Sequence, residues 1–105
     1  MTDILAPENC TTMKEVRVGV DAVDRAIGQL LATRFGYMRA AARIKPERSH
    51  VRDEARKAEV IANAAMNARV SDYPETVAAD LWEVLVEASI VYELEQFDAR
   101  TPVDE

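Results

Sequence analysis

Four cations stand where a charge needs a partner. Arg17 lies among Val16, Val18 and Val20, and Arg34 between Leu31 and Phe35; a charged group on or beside an apolar stripe is costly unless something pairs with it. Arg34 and Lys45 are eleven residues apart. On a helix that is three turns plus about 20°, so the two share a face with their backbones about 16 Å apart. Two long side chains leaning toward each other span that gap around a ligand about the size of a sugar. Arg56 follows in VRDEARK, with Asp53 one turn before it. Arginine grips a carboxylate through two parallel hydrogen bonds and lysine suits a single oxygen, so the chemistry these residues offer is the binding of a small anion. Any one of them alone reads as solvated surface charge. Cys10 and His50 have no evident partners, and a single cysteine makes neither an intrachain disulfide nor a Cys/His metal site.

The elements that must position these side chains are helices. Prolines at 7, 46, 74 and 102 punctuate the chain and there are three glycines. From about Thr12 to Ile44 the residues Val16, Val20, Val23, Ile27, Leu30, Leu31, Met38, Ala41 and Ile44 recur every three or four positions. Pro46 stops that helix, and a basic loop from Pro46 to His50 leads to a second, from about Val51 to Arg69, with Val60, Ile61, Ala64, Ala65 and Ala68 inward. Ser71 and Asp72 read as a cap, opening a third helix from about Pro74 to Ala99 with the stripe Val77, Leu81, Val84, Leu85, Ala88, Val91 and Tyr92. The expected fold is all-α: three helices in one domain over residues 1–105, with an ordered core from about residue 8 to 100 and short flexible termini. A first helix of about 50 Å exceeds the diameter near 35 Å of a 100-residue globule. Such a pattern predicts a homodimer in which two copies of helix 1 pack together; a kink near Gly28 or Gly36 is the alternative.

Charge narrows the function classes. Residues 1–33 carry 3 basic and 5 acidic side chains, residues 34–57 carry 8 and 3, and residues 58–105 carry 2 and 11, so the net −6 hides a +5 segment. Such a chain is a poor binder of nucleic acid yet can build a local anion pocket. No apolar run approaches the roughly 18 to 20 residues of a membrane span. The start MTDILAPENC lacks the marks of a signal peptide, and with one cysteine this points to a cytoplasmic setting.

The run CTTMKEVRVGVDAVDRAIGQLLATRFGYMRAAARIK, followed by VRDEARK and SIVYELEQ, resembles the all-helical (AroQ-type) chorismate mutase family, including its isochorismate pyruvate lyase branch. The resemblance covers about Pro7 to Arg100 and rests on the order R…D..D…R…K…D..R…E at matching separations. It implies an intertwined homodimer with two equivalent sites and a small dicarboxylate substrate, chorismate or isochorismate. Arg17 then reaches across to the partner subunit, and Arg34 and Lys45 grip the carboxylates and ether oxygen. Arg56 is a further carboxylate ligand and Asp53 the acid near the ring hydroxyl. Ser89 and Glu93, one turn apart, take the places of the family's serine and of its Gln or Glu over the ether oxygen.

The implied reaction, chorismate to prephenate, is a unimolecular pericyclic step with no nucleophile, metal or cofactor. It is accelerated by holding the compact conformer and stabilising charge on the breaking ether oxygen. Two residues depart from the commonest pattern. Glu93 stands where many relatives carry glutamine, and a glutamate donates a hydrogen bond only when protonated; activity is therefore expected to rise as the pH falls. Lys57 stands where many mutases place a glutamate that receives the ring hydroxyl, and a cation cannot accept that bond. Lys57 and the lead PENCTTMKEVR lean toward the lyase branch, Asp53 and Ser89 toward a mutase, which is the favoured reading, with aromatic amino acid biosynthesis and a secondary metabolite both open as its pathway. A 4-amino-4-deoxychorismate mutase is a further alternative. So is a non-catalytic helical adaptor dimer, which would leave the four matched cations unexplained.

Overall fold

The computed structural model describes residues 4–100. Within them the protein is all-helical, with three α-helices and two short 3-10 turns and no strand. Helix α1 spans Met13–Ile44, α2 Glu54–Ser71 and α3 Glu75–Ala99. The chain divides into two compact units, Met1–Gly36 and Tyr37–Glu105. The expected flexible termini and the punctuation at Pro102 fall in part outside the described residues.

In the first unit, a 3-10 turn at Pro7–Asn9 leads into α1. Thr12 and Glu15 start the helix by a reciprocal capping box. Thr12 Oγ1 accepts from the Glu15 amide at 3.2 Å, and the Glu15 carboxylate accepts from the Thr12 amide at 3.0 Å and from the Thr11 amide at 2.9 Å. Those amide and hydroxyl donors, the Thr11 amide first, hold the Glu15 carboxyl below its ordinary pKa. Ile4, Leu5 and Pro7 face Val16, Val20 and Val23 across an apolar groove of about 440 Å³. Helix α1 is 32 residues long and its helical assignment continues through Gly28 and Gly36. Its apolar stripe at Val16, Val20, Val23, Ile27 and Leu30 is exposed.

In the second unit α2 and α3 form a helical hairpin. Ser71 and Asp72 do not cap α3, as the sequence reading expected: Ser71 ends α2, and Asp72 closes it in a left-handed conformation with φ 63°. The Asp72 and Tyr73 amides turn back onto the Ala68 carbonyl, which satisfies the orphan acceptors of the last turn. Pro74 takes the cap position of α3. At the other end α2 begins three residues later than expected, because Asp53 serves as its N-cap, accepting from the Arg56 amide at 3.0 Å.

The hairpin core has two parts. Ala64, Ala68 and Ala78 let the helices approach closely, with Ala68 and Ala78 at 0 % exposure. Val51, Val86 and Ile90 form the second part, joined by Val60, Leu94 and Phe97. Trp82 packs against both. The α3 stripe read from the sequence is therefore not the one that meets α2: Val77, Leu81, Val84 and Val91 are exposed, Val84 at 70 %. Helix α3 is apolar around more than one face, and the small alanines of α2 select the face that carries Ala78, Trp82 and Val86.

Candidate active site

Helix α3 brings Ser89 and Glu93 onto its buried face, one turn apart. The Ser89 hydroxyl donates to the Leu85 carbonyl at 2.6 Å. The Glu93 side chain is 6 % exposed, and its Oε2 lies 2.7 Å from Lys45 Nζ. That oxygen has no aligned hydrogen-bond donor, so the contact is an ion pair off the hydrogen-bonding axis. A buried acceptor left in this state is uncommon and calls for an explanation. Lys45 is half-buried and has three donors, so it can hold a second oxygen while it faces Glu93.

Lys45 sits where α1 runs out, its amide still bonded to the Ala41 carbonyl at 2.9 Å. The end of that helix is fastened from α3. Arg100 Nη1 donates to the Ala42 carbonyl at 3.2 Å and the Lys45 carbonyl at 2.7 Å, and its Nη2 to the Pro46 carbonyl at 3.3 Å. The guanidinium also stacks on Phe97, 3.7 Å from the ring centre. The following 3-10 turn, Arg48–His50, is tied down by a two-bond pairing of Arg48 with Asp98 at 2.8 and 3.2 Å. The loop after Pro46 is thus tied to α3 at both of its ends. Neither Arg100 nor Arg48 stood out in the sequence, since their partners lie 50 or more positions away.

The other expected site residues are placed as follows. Asp53 is exposed and gives one oxygen to the cap of α2. The Arg56 guanidinium is exposed and paired with Glu59. Arg17 is exposed and Arg34 half-buried, both in the first unit. Lys57 is drawn to α3, where its ammonium lies 2.9 Å from Glu83 and 2.8 Å from Glu87. Glu87 also receives the Arg52 guanidinium through two bonds of 3.0 and 3.1 Å. Arg52 first and Lys57 second pull the Glu87 carboxyl down to about 2. Because the folded-state value lies below the unfolded one, near 4.3, Glu87 stabilises the fold fully above that pH, and the contribution disappears as the pH falls toward 2. Urea unfolding at pH 6 and pH 3 is expected to show a larger loss of stability in the wild type than in Glu87→Gln; equal losses would remove this network from the pH dependence.

Among the described residues no group of three or more His, Cys, Asp or Glu is arranged to hold a metal ion, and no helix is long and apolar enough to cross a membrane. What remains is an all-helical protein whose buried polar centre is a lysine–glutamate pair beside a serine, with arginines on the flanking elements. Residues 16–94 match the family described as chorismate mutase type II, and the chain belongs to that family. No curated protein matches it.

Proposed function

We propose that the protein is a chorismate mutase, converting chorismate to prephenate without metal or cofactor. The observation that supports this most directly is the buried Glu93 carboxylate beside Lys45 at 2.7 Å, in a chain of the chorismate mutase type II family. In the reaction the ether C–O bond breaks as a C–C bond forms within the same molecule, and no proton is gained or lost. Lys45 donates to the ether oxygen as negative charge grows there, and Glu93, when protonated, donates to the same oxygen from α3. Arg34 and Arg56 bind the two carboxylates and hold the ring and side chain in the reactive conformer. Ser89 and Asp53 orient the ring end of the substrate.

The working unit is a homodimer. Val16, Val20, Val23, Ile27 and Leu30 on α1 and Val77, Leu81, Val84 and Val91 on α3 are exposed in the single chain, more apolar surface than an isolated small protein commonly leaves to water. A second copy covers these stripes, and Arg17 of α1 completes the partner's site.

The test is loss of chorismate absorbance with purified protein, repeated with Arg34→Ala, followed by product analysis. Prephenate supports the mutase, and salicylate with pyruvate from isochorismate the lyase. The lyase is the second reading because Lys57, tied to Glu83 and Glu87, leaves no acceptor for the ring hydroxyl at that position. Absence of turnover with both substrates would overturn both readings.

Glu93→Gln keeps a donor over the ether oxygen and is expected to retain turnover, whereas Glu93→Leu removes it and is expected to lower kcat/KM by about a hundredfold. Equal kcat/KM in Glu93→Leu and the wild type would remove Glu93 from the reacting oxygen.

A further inference from the structure

Arginines in the second unit fall into two groups. Arg48, Arg52, Arg56 and Arg69 each hold a carboxylate within 3.2 Å. Arg39, Arg43 and Arg100 hold none among the described residues, and these three line one cleft of about 210 Å³ between the last turns of α1 and the end of α3. Gln96 adds an amide to the lining, the remaining positions are Ala42 and Ala99, and no acidic side chain contributes.

Two of the guanidiniums are already fixed in place. Arg39 Nη1 donates to the Tyr92 hydroxyl at 2.9 Å, one of five N–H donors spent. Arg100 spends three on the Ala42, Lys45 and Pro46 carbonyls and sits over the Phe97 ring at 3.7 Å from its centre, which leaves two donors. Arg43 makes no hydrogen bond or ion pair among the described residues. In a chain of net charge −6, with carboxylates taken up at every other arginine of this unit, three arginines without a counter-charge among the described residues line the same cleft. Two preset arginines also lower the entropy lost on binding, since their rotamers are already chosen.

We propose that this cleft binds a small oxyanion carrying two or more negative charges, gripped by Arg43 and by the unused donors of Arg39, Arg100 and Gln96. Neither Lys45 nor Glu93 lines this cleft, and its existence does not depend on the reaction the protein catalyses. Phosphoryl and polycarboxylate ligands share this chemistry.

Thermal unfolding of the full chain, titrated with inorganic phosphate and separately with citrate at constant ionic strength held by chloride, tests it. A saturable rise in Tm is expected with at least one of the two, and which one responds identifies the source of the oxygens. Arg43→Glu is expected to weaken the midpoint at least tenfold. Arg43→Gln does so to a lesser degree, and circular dichroism verifies that both variants are folded. Arg34→Ala is expected to leave the midpoint unchanged; a shift lost in Arg34→Ala but kept in Arg43→Glu would place the anion in the substrate site and overturn the proposal. No saturable shift beyond the chloride control would also overturn it. So would binding that appears only after removal of residues 101–105, which carry Asp104 and Glu105, because the chain's own acidic end would then be the occupant.

Discussion

Replacing Lys45 by methionine is expected to lower kcat/KM for chorismate by about a hundred- to a thousandfold, the usual cost of removing one donor from a developing oxyanion. Methionine keeps the length of the side chain and removes the charge, so the loss reports on the donor rather than on packing. It carries a second cost. Glu93, 6 % exposed, loses the cation 2.7 Å away, and breaking a buried pair from one side leaves an uncompensated carboxylate. Lys45 is itself 30 % exposed, so water reaches part of the site and the destabilisation is about 1–3 kcal/mol, below the full cost of a dry pair. The double variant Lys45→Met/Glu93→Leu is expected to recover much of that stability in urea while remaining inactive. Wild-type turnover in Lys45→Met would show that the ether oxygen is stabilised by other groups.

The largest effect on stability is expected from Trp82→Ala, at about 3 kcal/mol. Trp82 is the single tryptophan of the chain, and it is in contact with both parts of the hairpin core, the alanine patch and the Val51, Val86 and Ile90 cluster. Truncation of a core aromatic costs about 3–5 kcal/mol, and the partial exposure of this one places it at the lower end. For a domain whose whole stability is about 5–15 kcal/mol, the loss is large enough to lower the urea midpoint sharply. Trp82→Phe refills most of the volume and is expected to cost under about 1.5 kcal/mol. A Trp82→Ala protein with an unchanged midpoint would mean that the two clusters do not depend on the side chain between them.

Local chemistry made the helices legible. Pro46 and Pro74 mark the breaks, the three-and-four spacing in α1 is regular, and the alanines at 64 and 68 do face inward. The capping box of Thr12 and Glu15 was readable by the same logic, a threonine followed three residues later by a glutamate. Asp53 shows a competition the sequence does not decide, because an aspartate before a helical turn is equally suited to meet a substrate hydroxyl or to cap α2. The face of α3 that meets α2 was not legible. Val77 and Val86 are both apolar at helical spacing, and only the shape of the alanine surface opposite chooses between them. The placement of candidate residues was legible where they share one element, as with Ser89 and Glu93 one turn apart on the buried face of α3. It was not legible where a distant residue fixes the backbone: nothing near Lys45 announces Arg100, and nothing near Lys57 announces Glu83.

The hold of Arg100 on the end of α1 sets an order of events during synthesis. Lys45 leaves the ribosome 55 residues before the guanidinium that fixes its carbonyl, and Phe97, on which that guanidinium stacks, emerges just as late. The first helix can form early, yet its closing turn stays open to solvent until α3 is nearly complete. A chain that ends before Arg100 therefore leaves the Ala42, Lys45 and Pro46 carbonyls without that donor, and Lys45 on a turn that nothing from α3 closes.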